Sequence, residues 1–148
     1  MNNLFEMCIS AFALAEMHDE KGGDDMAKKI LIMDDDPIIV DYLADLFKDN
    51  GYETFTAYDA EEGFNVLTRE KPDLITLDLD MPKITGPLFY ARYRKTEELK
   101  DTPVIVISGL HVPHRSIKNA VAAIEKPIDR NELLKIVKET IGEGSPVQ

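Results

Sequence analysis

Short apolar runs alternate with helically spaced apolar positions along most of this chain. Ile30-Leu31-Ile32-Met33 is a continuous apolar run, as expected of a strand buried on both faces. Pro37 then stands where a first helical position would fall. Ile39, Leu43, Leu46 and Phe47 recur at helical spacing until Asn50-Gly51 stops the run. Glu53 to Ala57 reads as a second strand, and Asp59 with Glu62 predicts a capped helix running through Thr68. Leu74-Ile75-Thr76-Leu77 is a third strand ending at Asp78, and Gly86-Pro87 opens a helix carrying Leu88, Ala91 and Arg92. Pro103 precedes the most uniformly apolar strand, Val104-Ile105-Val106-Ile107. After a weakly patterned stretch, Val121 to Ile124 reads as a short fifth strand. Asp129 with Glu132 predicts a last capped helix, with Leu133, Ile136, Val137 and Ile141 on its face and Gly142 at its end.

This alternation predicts an α/β fold, a doubly wound parallel sheet with helices on both faces. In such sheets ligands gather at the carboxyl ends of the strands, near the point where the strand order reverses. The patterned region spans residues 27–142, and 143–148 reads as a flexible tail. Residues 1–26 stand apart as an N-terminal extension and linker. Leu4, Cys8 and Phe12, with Phe5, Ile9 and Ala13, line one side of a short helix if they form one, and a polar Gly-containing stretch follows from His18. The extension either adds little to the fold or docks on this domain or on a partner.

Composition narrows the function classes. A chain of 148 residues suits one domain. It carries 17 basic against 28 acidic residues, a formal charge of -11 that repels nucleic-acid phosphates and anionic membranes. Cys8 is the only cysteine, so neither an internal disulfide nor a cysteine metal cage can form, which fits a cytoplasmic protein. Leu4 to Met17 contains two glutamates, lacks a basic leader and falls short of the ~20 residues a membrane span takes.

The polar residues at the strand ends carry the chemistry. Asp34, Asp35 and Asp36 follow the first strand, Asp78 and Asp80 the third, Ser108 the fourth and Lys126-Pro127 the fifth. Two carboxylates about 4 Å apart repel by roughly 4 kcal/mol at an effective dielectric of 20. A hard divalent cation, Mg²⁺ or Mn²⁺, relieves that repulsion. Asp35 is the best direct ligand, Asp34 a ligand through water, and Asp78 a ligand through one oxygen. The other Asp78 oxygen is then free to attack phosphorus. Lys126 is expected to pair with Asp78 and then with phosphoryl oxygens, while Ser108 donates a hydrogen bond to another. Asp36 is assigned to the helix start, and His111 and His114 read as solvated loop histidines.

Residues 29–37, 72–86, 103–108 and 125–127 together resemble the receiver domains of two-component response regulators, in order and at fitting intervals. The resemblance implies a five-stranded sheet in flavodoxin-like order 2-1-3-4-5. It implies an acidic pair at Asp34 and Asp35, a phosphoacceptor at Asp78, a switch hydroxyl at Ser108, a lysine at Lys126 and a metal ligand at the Asp80 backbone carbonyl. It also suggests a cis bond before Pro127. The implied activity is Mg²⁺-dependent acceptance of a phosphoryl group from a sensor histidine kinase or histidine phosphotransfer protein. The signal then passes to a downstream protein by contact, and turnover is limited to self-phosphorylation and self-dephosphorylation. Too few residues follow Lys126 for an output domain, so the expectation is a stand-alone receiver.

Two departures from the family pattern stand out. Ala123 replaces an aromatic three residues before the lysine. The interval from Ser108 to Lys126 is also short and holds Pro113, so the fourth helix is expected to be short or absent and signalling to run through residues 109–118 instead. Two other functions compete with this one. A pseudo-receiver would keep the fold without using phosphate. A haloacid-dehalogenase-type phosphatase would use Asp78 and Asp80 as nucleophile and acid, but its acidic pair follows the first strand rather than the third.

Overall fold

The computed structural model describes residues 27–79, 81, 86–97, 99–109 and 120–146. Five strands, β1 (Lys29–Met33), β2 (Glu53–Ala57), β3 (Leu74–Leu77), β4 (Val104–Ser108) and β5 (Ala122–Glu125), pair in the order β2-β1-β3-β4-β5, all parallel. The helices among the described residues are α1 (Pro37–Asp49), α2 (Ala60–Glu70), α3 (Gly86–Arg94) and α4 (Arg130–Ile141). This is the doubly wound sheet the pattern predicts. The helix expected to be short or absent between β4 and β5 falls on residues 110–119, outside the described residues, as does the extension 1–26. No helix among the described residues is long and apolar enough to cross a membrane.

Two apolar cores explain the layers. Ile30 and Ile32 of β1 face Val40, Leu43 and Phe47 of α1 and Leu133 and Val137 of α4. Leu31 and Met33 point the other way, toward Val66 and Leu67 of α2 and Phe89 and Tyr93 of α3. Strand side chains alternate between faces, so a strand covered on both sides must be apolar throughout. β1, β3 and β4 are such strands, whereas the edge strand β2 is only partly buried. Thr76 interrupts the pattern. It lies between Ile32 and Ile105 in the ladder, is 1% exposed, and its hydroxyl has no hydrogen-bond partner among the described residues.

Helix starts follow the predicted caps. Asp36 accepts from the Ile38 N–H, with Pro37 at the first helical position. Asp59 accepts from the Glu62 N–H, and the Glu62 carboxylate accepts from the N–H of Tyr58, one residue before the cap. Asp129 accepts from the N–H groups of Asn131 and Glu132. After α4 the chain returns to the α1–β2 turn. The Tyr52 hydroxyl donates to Gly142 O at 2.7 Å, and the Ser145 N–H donates to Gly51 O at 2.9 Å, so the start of the expected tail is tethered. Gly51 has φ +84°, and a Cβ there would meet the backbone of Ser145, so glycine is required on both counts.

Candidate functional site

The strand order reverses between β1 and β3, where β2 has been laid to one side and the later strands to the other. The two acidic segments end at this crevice. Backbone hydrogen bonds continue one step past the strands and hold them in register. The Asp34 N–H donates to Ala57 O at 3.2 Å, the Asp78 N–H to Met33 O at 2.9 Å, and the Lys126 N–H to Ser108 O at 2.9 Å. The ladder thus fixes the main chain of Asp34, Asp78, Ser108 and Lys126, leaving side-chain rotation to set the chemistry there.

Asp34, Asp35 and Asp78 come together, with one carboxylate oxygen from each lying within 4.8 Å of the other two. Asp34 is 2% exposed and Asp78 5% exposed, while Asp35 is open to solvent. Isolated buried carboxylates are costly, so the cluster needs cationic company. Lys126 supplies part of it. Its ammonium donates to Asp34 Oδ2 at 2.7 Å and stands 3.8 Å from Asp78 Oδ2. The expected pairing of Lys126 with Asp78 is therefore present as an ion pair, but the shorter contact goes to Asp34. The reason is local. Asp34 Oδ1 accepts the Asp36 N–H at 2.9 Å, and its second buried oxygen takes Lys126 as donor. Burial pulls the ammonium's pKa down. The Asp34 hydrogen bond and the charges of Asp34, Asp78 and Asp35 outweigh it, and Lys126 is held above its ordinary value.

Three carboxylates against one ammonium leave two negative charges at the rim. Oxygen donors with that charge suit a hard divalent cation. One oxygen from each of the three carboxylates lies within 4.8 Å of the others, close enough for all three residues to serve one such ion. With both Asp34 oxygens engaged by protein donors, Asp35 offers the more accessible carboxylate. Asp36 is turned away into its helix cap.

Ser108 closes the far side. It ends β4, is 3% exposed, and pairs in register with Glu125, immediately before Lys126. The Lys126–Pro127 peptide is cis, as the family pattern suggested. Ala123 sits in β5 opposite Val106, partly buried against the core shared by α2 and α3. Asp80, His111 and His114 lie outside the described residues.

Residues 30–138 match the family model described as a response regulator receiver domain. The chain is 30% identical over 124 residues to Protein Rrf1 of Nitratidesulfovibrio vulgaris, an alignment covering 82% of this chain and 90% of that protein. It is 32% identical over 125 residues to the transcriptional regulatory protein GlrR of Escherichia coli. That alignment covers 79% of this chain but only 27% of GlrR, so the similarity is to one part of a longer regulator. Among solved structures, the chemotaxis response regulator CheY4 of Vibrio cholerae superposes with a TM-score of 0.73 at 28% identity, covering 78% of this chain and all of that one.

Proposed function

The chain belongs to the response-regulator receiver family, and on that premise we propose that it accepts a phosphoryl group on Asp78. The observation that carries this reading is the burial of two carboxylates, Asp34 and Asp78, within reach of Lys126 at the reversal of strand order. Burying charge there costs stability and adds nothing to the core, so a ligand chemistry accounts for it better than packing does.

The donor in this reading is a phosphohistidine on a sensor kinase or phosphotransfer protein. An Asp78 oxygen attacks phosphorus in line, the new O–P bond forms as the N–P bond breaks, and the departing imidazole takes up a proton. Lys126 leaves Asp34 for the phosphoryl oxygens, a short move because it already lies between the two carboxylates. The Ser108 hydroxyl donates to another phosphoryl oxygen. Asp34, Asp35 and Asp78, with the Asp80 carbonyl in this reading, would hold a divalent cation, which when bound would supply neutralisation of the charge on the transferred group. Self-dephosphorylation is the only hydrolysis assigned.

Residues 27–142 form the acceptor domain in this reading, 1–26 an extension and 143–148 a tail, in a cytoplasmic protein that signals by contact with another protein. Ala123 offers no side chain able to swing toward space left by Ser108. The signal is therefore assigned to residues 109–118. Incubation with acetyl phosphate and Mg²⁺ tests the acceptor. The unchanged chain should gain one acid-stable, base-labile phosphoryl group and Asp78→Asn none; equal labelling of the variant rejects the assignment.

A further inference from the structure

Beside the acidic cluster, Ile38, Ile39 and Tyr42 of α1 and Lys126, Pro127 and Ile128 before α4 line an open groove of about 280 Å³. Its wall is apolar and unusually exposed for this chain: Ile38 is 77% and Tyr42 42% accessible. Both lie on α1, whose Val40, Leu43, Ala44, Leu46 and Phe47 are buried and whose Ile39 is partly buried, so these two side chains face away from the core.

We propose that residues 4–13 of this same chain fold back and occupy that groove. The segment Leu4-Phe5-Glu6-Met7-Cys8-Ile9-Ser10-Ala11-Phe12-Ala13 is the most apolar part of the sequence before β1, and its single charge is Glu6. An apolar occupant with almost no charge suits a site where Asp41 and Asp45 stand exposed on the same helix, since a more acidic one would be repelled. The other acidic residues of the extension, Glu16, Asp19, Glu20, Asp24 and Asp25, lie in the connecting stretch and need not enter the groove. Lys135 and Lys138 are exposed on α4, which packs on the same face of the sheet as α1, and they give that stretch a favourable route.

The chain is long enough. The described residues begin at Ala27, at the amino end of β1, whereas the groove lies at the carboxyl rim. The separation is set mainly by the length of β1, about 17 Å for its five residues. Residues 14–26 can extend to roughly 43 Å, so they cover the distance while keeping considerable freedom. A tether of this length holds its end at an effective concentration of about 1 mM. A contact with a dissociation constant near that concentration, too weak to form between separate molecules at micromolar concentration, is then occupied about half the time. This occupancy covers the rim next to Asp78. On the phosphoacceptor reading, on which the regulatory consequence rests, it lowers the apparent affinity of any protein partner using that rim about twofold.

A nitroxide attached through Ser10→Cys, in a Cys8→Ala background of the full-length chain, tests the contact directly. Ser10 lies opposite the apolar set at helical spacing, so the label leaves that set intact. Paramagnetic broadening of backbone amides should concentrate at Ile38, Tyr42 and Ile128 and disappear when Leu4→Asp and Phe12→Asp are added, with the remaining spectrum unchanged. Even broadening across the surface, or a maximum elsewhere, overturns the proposal. So does broadening that appears only when labelled and isotopically enriched chains are mixed, which assigns the groove to a second copy. The measurement uses no phosphate, and the acetyl phosphate experiment on the same samples separates loss of the contact from failure of the acceptor assignment.

Discussion

Replacing Asp78 by asparagine should make the metal-free protein more stable while removing its response to Mg²⁺. The side chain keeps its shape and loses one charge. Asp34 and Asp35 oxygens lie within 4.8 Å of an Asp78 oxygen. At an effective dielectric of 20 each such repulsion is at least about 3.5 kcal/mol, or about 7 kcal/mol for the two. The lost attraction to Lys126 at 3.8 Å is about 4.4 kcal/mol on the same scale. Because Asp35 is exposed, solvent screens its share, and roughly halving that repulsion brings the balance to about 1 kcal/mol in favour of the variant. For a domain of this size the melting temperature should rise by about 3–5 °C in chelator. Saturating Mg²⁺ should raise the melting temperature of the unchanged chain, because the ion binds only the folded state, and should leave that of Asp78→Asn nearly unmoved. The two effects have opposite signs, so general damage to the fold cannot imitate them. A variant less stable in chelator, or one that keeps its full Mg²⁺ response, would show that Asp78 does not belong to a strained acidic cluster.

Three further outcomes follow from particular contacts. Asp35→Ala should weaken Mg²⁺ binding far more than Asp36→Ala, whereas Asp36→Ala should cost about 1 kcal/mol of stability through loss of the cap to Ile38. Calorimetric titration and urea melts of the pair separate the roles, and equal metal affinities would reverse the assignment. Thr76→Val should raise stability by about 1–2 kcal/mol, since it replaces a buried hydroxyl without a partner among the described residues by a methyl of the same shape; a urea midpoint that falls means the hydroxyl is satisfied in solution. Tyr93 and Tyr52 are raised mainly by burial, and Lys126 is raised because its carboxylate partners outweigh burial. All three hold their protons more tightly when folded, so their contribution is intact below the ordinary values of 10.0 and 10.5 and is lost as pH rises beyond them. Stability should stay level near neutrality and fall above about pH 10, less steeply in Tyr93→Phe. An unchanged slope in that variant contradicts the tyrosine's share.

How much of this was legible before the fold was known depends on how local each cause is. Strands covered on both faces need uninterrupted apolar residues, so β1, β3 and β4 could be read directly. Helix starts were equally readable because a cap acts over two or three residues, as Asp36 does on Ile38. Even there the detail moved by one position, since the Glu62 carboxylate reaches the Tyr58 N–H rather than that of the capping residue. On α1 the stripe read from the sequence included Ile39, yet the fully buried residue is Val40, because the helix face is set by where the sheet lies. The tethering of Tyr52 to Gly142 joins residues 90 apart in sequence and left no local sign.

The site divides along the same line. Each of Asp34, Asp35, Asp78, Ser108 and Lys126 stands at the end of a strand or just past it, and in a parallel sheet that alone brings them to one rim. Which pairs form there is another matter. Lys126 prefers Asp34 to Asp78 by the difference between 2.7 and 3.8 Å. That preference depends on the Asp36 N–H having already taken the other Asp34 oxygen. The start of a helix and a lysine 92 residues downstream of Asp34 thus share one carboxylate, each taking one of its oxygens. The same turn that starts α1 leaves Asp35 as the accessible ligand and Lys126 poised between two acids, so the acidic run is read correctly only when its three members are given different tasks.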